Sequence, residues 1–444
     1  MSGRRALVVV FVLTLPLVTP KIRGADEIQY FSHLRSLAFD RDVDFENEYR
    51  WFVAHDPQGL AGFRETFLER REAATGRPIN FTPIGCALLW SPFYALAHVG
   101  VLGARSLGSS VPADGFSRPY QAAACYGSAV YGFVGLLLLH DVLKRRFAEP
   151  AASWATAGVW LASPLLYYMS LAPGFSHANS VFAVALVLWL SLRARKSGRL
   201  SDWALAGLAG GLCGLIREQD ALFLLIPAGL IVWSQARLDD RVRALVALGA
   251  TAALCFAPQL LVYQATNGTF SPSKLVTRKM SWTSPHSLEA LFDPAHGLFF
   301  WSPLLLLATL GLIHHAWRRR GALGPLLLGA LLLQVWINGA VESWHLAGAF
   351  GSRRFVGATP LFAFGLAALF QALDRRRHWV LAVLTLSVWW NLSLMVQFGL
   401  KLMDRQRLDW PRVAINQFTE VPRRLGRTTL LFFTDRERLL REKP

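Results

Sequence analysis

The sequence predicts an all-α protein that crosses a membrane about eleven times. Hydrophobic residues make up 53% of its 444 residues and charged residues only 17%, whereas soluble domains carry about a quarter charged residues. The mean hydropathy is +0.34, and the apolar residues form long runs. A run of about 20 such residues crosses roughly 30 Å of hydrocarbon as a helix. Lipid offers the backbone no other hydrogen-bond partner, which favours helices.

The basic residues predict the orientation of these spans. The net charge of +17 is concentrated in clusters at 144–146, 193–199, 237–243, 318–320 and 375–377. Two apolar runs separate each neighbouring pair of clusters, as expected if all five clusters are cytoplasmic. A nucleic-acid-binding protein would gather its basic residues on one soluble face, so nucleic acid is not a predicted partner. We expect a multi-pass membrane protein in contact with membrane lipids.

The apolar runs give the predicted organisation of the chain. The predicted spans are 6–21, 119–143, 151–171, 177–192, 203–216, 220–235, 244–263, 297–316, 321–340, 354–373 and 378–398. Residues 22–118 form a long first external loop, in which the proline-broken stretch 83–103 would skim or re-enter the membrane. Residues 1–400 make up the transmembrane domain and 401–444 a basic tail. Charged residues interrupt the stretch 203–235. If this stretch were one helix, a single crossing would separate the clusters 193–199 and 237–243, and the two clusters could not both be cytoplasmic.

Acidic residues in the first external loop are candidates for catalysis. Asp26 and Glu27 follow the first span at the boundary of lipid and water, where partial desolvation makes a carboxylate a better general base. A solvated pair of acids ending a helix is the structural alternative. Asp42 and Asp44 continue an alternating pattern from Asp40, which places them on one face of an extended segment. They could bind sugar hydroxyls or a divalent metal, or form a solvated loop.

Basic residues predicted on the outer face are candidates for phosphate binding. Arg353 and Arg354 open the tenth span, and a guanidinium suits phosphate because it is planar, permanently charged and bidentate. The alternative is a pair of arginines extending to lipid headgroups. Arg278 and Lys279 could hold a second part of the headgroup. His177 begins a span at the same level, where a structural hydrogen bond is the more common role.

Glu342, Trp344 and His345 form a candidate sugar-binding loop before the tenth span. An indole ring stacks on the C–H face of a sugar, and a carboxylate accepts its hydroxyl groups. Interfacial tryptophans are also common in membrane proteins generally. The four cysteines lie singly and give no metal-binding spacing or disulfide framework. No cofactor is therefore required, and a divalent metal is left open without being indicated.

Several of these segments resemble a known family in both order and spacing. They are residues 24–30 (GADEIQY), 40–45 (DRDVDF), 83–97, 296–303 (HGLFFWSP) and 350–355 (FGSRRF). Together they resemble the bacterial GT-C type glycosyltransferases, a group that includes the dolichyl-phosphate-mannose-protein mannosyltransferases and the lipid A aminoarabinose transferases. The departures from the family pattern are Ser352 in place of Pro and Arg354 in place of Tyr.

The resemblance implies eleven to thirteen helices and a long first external loop with membrane-parallel helices. It implies an inverting transferase that moves a hexose or pentose from a polyprenyl-phosphate donor to a lipid, glycan or protein acceptor outside the membrane. Asp26 would be the general base with Glu27 beside it, and Asp44 would line the pocket. Arg353 would hold the donor phosphate, with Arg278 or Lys279 assisting.

Two other functions remain open from the sequence. A polytopic transporter or flippase of lipid-linked sugars would have a similar helix count, although such proteins often place polar groups at the bilayer midplane within internal repeats. A non-catalytic assembly factor for an envelope polysaccharide is the third candidate.

Overall fold

The computed structural model describes residues 2–318, 321–345, 348–436 and 438. Arg319 and Arg320 of the fourth basic cluster, Leu346 and Ala347 of the loop before Arg353, and Glu437 and 439–444 of the tail lie outside these residues. The helices are α1 (Gly3–Thr14), α2 (Ala25–Arg35), α3 (Glu46–His55), α4 (Ala61–Phe63), α5 (Gly85–Ser106), α6 (Arg118–Lys144), α7 (Glu149–Leu161), α8 (Pro164–Ser170), α9 (His177–Ser197), α10 (Leu200–Ile216), α11 (Leu225–Val232), α12 (Leu238–Asn267), α13 (Lys274–Thr277), α14 (Ser287–Phe292), α15 (Leu298–Trp301), α16 (Pro303–Arg318), α17 (Leu323–Ala340), α18 (Thr359–Ala372), α19 (Arg377–Gly399), α20 (Trp410–Phe418) and α21 (Glu420–Thr434).

The prediction of an all-α polytopic membrane protein is confirmed. Within the described residues, β structure is limited to two isolated bridges. Seven helical segments there are long and apolar enough to cross a bilayer: Gly85–Ser106, Arg118–Lys144, His177–Ser197, Leu238–Asn267, Leu323–Ala340, Arg353–Ala372 and Asp374–Gly399. The remaining predicted spans are shorter or interrupted helices, so the total of about eleven stays a prediction.

Two predicted spans are interrupted at prolines. The span predicted at 151–171 is two helices, α7 and α8, and the second begins at Pro164. The span predicted at 297–316 is divided in the same way before Pro303. A proline lacks the N–H that would continue a helix and disfavours helical backbone at the preceding residue. The prolines therefore start new helices at both places.

The first span and the stretch 203–235 also differ from simple helices. α1 ends at Thr14 and is followed by a 3₁₀ turn, Leu15–Leu17, so it is shorter than the predicted 6–21. The stretch 203–235 forms α10, an extended residue at Arg217, a 3₁₀ turn and α11. It is therefore two helices and not one.

The helix α5 runs without interruption through Pro92, although the sequence predicted a break there. A proline inside a helix deprives the carbonyl four residues earlier of its backbone donor. The hydroxyl of Ser91 donates to the carbonyl of Leu88 at 2.8 Å and replaces that donor. This local side-chain bond accounts for the continuous helix.

Helix α5 runs antiparallel to the first turns of α6. The indole N–H of Trp90 donates to Ser128 Oγ at 2.8 Å. Two turns further along α5, His98 Nδ1 and the Tyr120 hydroxyl are hydrogen-bonded at 2.6 Å. Tyr120 lies in the first turn of α6, so α5 accompanies only the beginning of that helix. By length and composition α5 could itself cross a bilayer, so the predicted membrane-skimming or re-entrant segment stays a prediction.

The chain forms two compact units. The amino-terminal unit contains residues 5–142 and 168–279, and the carboxyl-terminal unit contains residues 1–4, 143–167 and 280–444. In the amino-terminal unit, α10 packs so closely on α12 that a Cβ at Gly207 or Gly211 would overlap with backbone carbonyls of α12. In the carboxyl-terminal unit, Gly311 and Gly365 bring α16 and α18 together in the same way. Small residues commonly allow such close helix packing in membranes.

Candidate functional site

The first turn of α2 fixes Glu27 in the interior of the amino-terminal unit. Its side chain is only 3% exposed. One carboxylate oxygen accepts the backbone N–H groups of Arg23 and Gly24 at 2.9 and 2.7 Å, and the other accepts that of Gly174 at 3.1 Å. Burial raises the pKa of Glu27, and these three backbone hydrogen bonds oppose the rise. Glu27 therefore joins the start of α2 to the turn before α9.

Asp26 is half-buried beside Glu27, and Tyr30 follows it one helical turn later. The Tyr30 hydroxyl is buried and donates to Ser176 Oγ at 2.9 Å. Burial raises the pKa of Tyr30; the carboxylate of Asp26 adds to this rise, while the guanidinium of Arg217 opposes it. The charges of Asp26 and Arg217 therefore both act on the Tyr30 hydroxyl.

Arg217 is held by His177 at the start of α9 and by Asp220, three residues further along its own segment. Its Nη1 donates to His177 Nδ1, and its Nε lies 3.9 Å from Asp220 Oδ2. The hydroxyl of Ser180 also donates to Asp220. The Arg217 side chain is 12% exposed and that of Asp220 is 1% exposed. A guanidinium that remains partly open beside a buried carboxylate can still bind an anion.

Asp26, Tyr30, Ser176, His177 and Arg217 are called here the Asp26 network. Tyr30 is hydrogen-bonded to Ser176, and Arg217 is hydrogen-bonded to the next residue, His177. The charges of Asp26 and Arg217 both act on the Tyr30 hydroxyl. A carboxylate can remove a proton from a hydroxyl group. A guanidinium can stabilise a departing phosphate. The network therefore combines the two functions that displacement of a lipid phosphate requires.

The site assignment made from the sequence omitted Arg217, Tyr30 and Asp220. Arg217 lies between two short apolar helices, and this interruption is the signal that could have found it. An arginine at such a break in a membrane protein is a functional candidate. Its pairing with His177 depends on how α9 and α10 pack, which no local pattern reveals.

The acidic residues after α2 form local turns. Asp42 accepts the hydroxyl of Ser36 at 2.6 Å and the backbone N–H of Asp44 at 3.1 Å. Asp44 in turn accepts the backbone N–H of Glu46 at 3.2 Å. Asp40 binds Arg35 and accepts the Asn47 amide at 2.7 Å. No group of three or more possible metal ligands occurs among the residues that the structure describes. Substrate binding by Asp42 and Asp44 stays a prediction.

Arg278 and Lys279 are exposed at the end of the amino-terminal unit. The ammonium of Lys279 lies 5.9 Å from the centre of the Phe81 ring. The backbone N–H of Phe81 donates to the Gln29 side chain of α2 at 2.8 Å. Lys279 therefore lies near α2, whose first turn carries Asp26. Its predicted contact with a headgroup remains untested.

In the carboxyl-terminal unit, the loop before Arg353 is largely open to solvent. Glu342 and His345 are exposed, and Trp344 is half-buried. The Trp344 ring stacks on His286, with the ring centres 5.7 Å apart. One face of the indole is thus occupied within the unit. Sugar binding by this loop stays a prediction.

Arg353 and Arg354 have different environments although they are adjacent. The guanidinium of Arg354 donates to the carbonyl and the hydroxyl of Ser343 at 3.1 and 3.0 Å, and so fixes the loop. Arg353 lies beside the buried His296, whose pKa is lowered by burial and also by the charge of Arg353. His296 Nε2 is hydrogen-bonded to the Ala349 carbonyl at 2.8 Å. Phosphate binding by Arg353 and Arg354 stays a prediction.

Gly351 shapes the backbone before Arg353. Gly351 has a φ of +59° and lies against Pro164, where a Cβ would come within 2.6 Å of the proline ring. A residue with a side chain would be strained there by both conformation and space. The glycine of the FGSRRF segment therefore directs the chain into the 3₁₀ turn that begins at Arg353.

Comparison with known proteins identifies related sequences for part of the chain. Residues 118–262 match the family model described as dolichyl-phosphate-mannose-protein mannosyltransferase. This segment runs from α6 into α12 and contains both His177 and Arg217. No curated protein sequence matches the chain significantly.

Solved structures extend the similarity to nearly the whole chain. ArnT from Cupriavidus metallidurans bound to undecaprenyl phosphate is similar over 94% of this chain and 74% of its own, with 15% identity and a TM-score of 0.54. The structure of the same protein in its apo state is similar over 94% of this chain and 75% of its own, with 16% identity and a TM-score of 0.47. The resemblance to GT-C type glycosyltransferases predicted from the sequence is confirmed, and the chain has their membrane fold.

Proposed function

We propose that this protein is a membrane glycosyltransferase that moves a sugar from a polyprenyl-phosphate donor to an acceptor on the outer face of a bacterial inner membrane. The observation that carries the proposal is the Asp26 network. It holds a half-buried carboxylate and a partly open guanidinium within one compact unit. The membrane fold supplies the context for a lipid-linked donor.

The proposed reaction is a single displacement at the anomeric carbon of the donor sugar. The acceptor hydroxyl loses its proton to the carboxylate of Asp26 while its oxygen bonds to that carbon. The bond between the carbon and the phosphate oxygen breaks, and the polyprenyl phosphate leaves with the bonding electrons. One displacement inverts the configuration of the carbon. Because the leaving group is already an anion, it needs a cation more than a proton.

Arg217, a member of the Asp26 network, is the proposed cation for the leaving phosphate. Phosphate binding by Arg353, which the family resemblance implies, is a separate proposal. ArnT, which shares the fold, was crystallised with undecaprenyl phosphate, and this supports a polyprenyl-phosphate donor here. Glu27 has its oxygens engaged by three backbone N–H groups. We therefore assign it the role of positioning Asp26.

The function is tested by analysing envelope glycans and lipid-linked sugars in a deletion strain. We expect one glycan to lose a single sugar and the corresponding polyprenyl-phosphate sugar to accumulate. Wild-type protein should restore the glycan, whereas Asp26→Asn should not, although equal amounts of both reach the membrane. The matched control is Asp56→Asn, which changes an exposed acid of the same loop and should restore the glycan. Restoration by Asp26→Asn would contradict the proposal.

A flippase of lipid-linked sugars is the second candidate, because Arg217 and Asp220 interrupt a membrane segment between α10 and α11. Transporters often use such discontinuous helices to bind substrates. Proteoliposomes loaded with a labelled polyprenyl-phosphate sugar distinguish the two. Movement of the label between leaflets without release of polyprenyl phosphate would favour the flippase. Release of polyprenyl phosphate with transfer of the sugar favours the enzyme.

A further inference from the structure

A cavity of about 570 Å³ lies in the carboxyl-terminal unit, and none of the site residues that the sequence predicted lines it. Its walls come from the segment after α19, from the start of α20 and from the loop around α15. The lining residues are Pro294, Phe300, Met403, Asp404, Arg407, Leu408, Asp409, Trp410, Pro411, Arg412 and Val413. Its volume falls within the range of small-molecule binding sites.

Two contacts fix the walls of this cavity. The backbone N–H of Leu408 donates to the Pro294 carbonyl at 2.8 Å and ties the two chain segments together. The Trp410 ring stacks on Trp390, with centres 4.4 Å apart, and Phe300 meets it edge-on at 5.6 Å. An aromatic side chain packed in this way presents a fixed apolar surface.

The charged residues at the cavity are two acids and two arginines, which differ in their partners. Asp404 accepts the backbone N–H of Gln406 at 2.8 Å, and Asp409 accepts that of Arg412 at 3.3 Å. Both acids therefore cap local turns. Arg407 and Arg412 are exposed, and neither forms an ion pair with another of the described residues. Two guanidinium groups are thus left to bind a carboxylate or phosphate.

We propose that this cavity binds an anionic sugar, with its ring against the Trp410 and Phe300 surface and its carboxylate or phosphate on Arg407 and Arg412. An apolar aromatic surface suits the C–H face of a sugar ring, and the two arginines select the charged group. The inference extends the proposed function, on which it rests for the source of the sugar. That source is either the acceptor glycan or the sugar of the donor.

Binding is tested first without any transfer reaction. Saturation-transfer NMR on the full-length protein in detergent compares three probes. Glucuronate carries both a sugar ring and a carboxylate, glucose carries only the ring, and acetate carries only the carboxylate. We expect glucuronate to bind at least about tenfold more tightly than glucose or acetate, since one charge-assisted contact can account for a factor of ten. Equal binding of glucuronate and glucose, or of glucuronate and acetate, would overturn the proposal.

Matched double variants locate the binding site. Arg407→Gln with Arg412→Gln should weaken glucuronate binding at least about tenfold. Arg423→Gln with Arg427→Gln removes the same charge from α21, outside the lining residues, and should leave binding within about twofold. Unchanged glucuronate binding by the first pair would overturn the assignment to this cavity.

Kinetics then distinguish the two sources of the sugar. If the cavity binds the acceptor, the Arg407→Gln, Arg412→Gln protein should show a higher KM for acceptor and an unchanged KM for donor. If the cavity binds the donor sugar, this protein should show a higher KM for donor and an unchanged KM for acceptor. An unchanged KM for both would overturn the proposal. Asp26→Asn should still bind glucuronate normally, so a failure of the proposed transfer reaction would not be mistaken for a failure of this site.

Discussion

The start of α2 and the loop before Arg353 carry similar polar residues in different environments. Glu27 is almost completely buried and accepts three backbone hydrogen bonds. Glu342 in the other segment is exposed. A buried carboxylate with several backbone donors has one geometry, whereas an exposed one moves among many. The α2 segment is therefore suited to hold a catalytic group in place, and the loop is suited to adapt to a substrate.

Breaking the ion pair between Arg217 and Asp220 should have the largest effect on stability and transfer. Arg217→Gln leaves the buried Asp220 without its cation, which typically costs about 3 kcal/mol of stability. Loss of the guanidinium should also lower sugar transfer roughly 100-fold. Thermal unfolding and transfer assays measure the two effects separately.

The double variant Arg217→Gln, Asp220→Asn separates catalysis from folding. Removing both charges should recover most of the thermal stability while transfer stays low. Recovery of transfer together with stability would show that Arg217 has only a structural role.

Removing the charge of Glu27 should reduce stability more than activity. In Glu27→Gln, one acceptor oxygen becomes an amide donor that faces backbone N–H groups, which should cost about 1 to 3 kcal/mol. We expect a lower thermal midpoint and nearly normal transfer by the protein that remains folded. Glu65→Gln, an exposed acid of the same loop, serves as the control and should change neither quantity. A large loss of transfer at full stability would instead support direct catalysis by Glu27.

The first loop should also make stability depend on pH. Burial raises the pKa of Glu48 to about 7, and its partner Arg35 opposes that rise. Because the folded state then binds the proton more tightly than the unfolded state, stability should fall as the pH rises from about 4.5 to 7. The expected change is on the order of 2 kcal/mol. Thermal midpoints of wild type and Glu48→Gln between pH 5 and 7.5 measure it.

Glu46 provides the control for this pH dependence. Hydrogen bonds from Arg71 and Arg50 lower the pKa of Glu46 to about 2, so the group is ionised in both states above pH 5. Between pH 5 and 7.5, the thermal midpoint of Glu46→Gln should therefore change with pH as it does in the wild type. The thermal midpoint of Glu48→Gln should depend less on pH. An unchanged slope in Glu48→Gln would exclude that residue as the cause.

The smallest effect is expected in the exposed loop. Glu342→Gln should change stability by less than about 0.5 kcal/mol, as exposed substitutions usually do. If the loop binds a sugar as predicted, the KM should rise a few-fold without a change in kcat. A fall in kcat would place this acid nearer to the reacting atoms than its exposure suggests.

The long apolar runs could be predicted from the sequence with little error. The helices α6, α9 and α19 lie within a few residues of the predicted spans, because membrane length and hydrophobicity determine such helices directly. The interruptions before Pro164 and Pro303 were missed, although proline gives a local signal at both places. A prediction of spans from hydrophobicity alone does not take this proline signal into account.

The site could be predicted only in part. Asp26 and Glu27 are candidates because of their position at a membrane boundary, but the burial of Glu27 depends on Gly174, which is distant in the sequence. Arg217 was noted as a polar interruption, yet its contact with His177 arises from helix packing. Phosphate binding by Arg353 stays a prediction.

The central claim is that Asp26 removes the acceptor proton in a transfer from a polyprenyl-phosphate donor. The most direct measurement compares wild type and Asp26→Asn for binding of polyprenyl phosphate and for the rate of transfer to membranes of the deletion strain. We predict similar binding and a transfer rate at least about 100-fold lower in the variant. Transfer by Asp26→Asn at the wild-type rate would contradict the account.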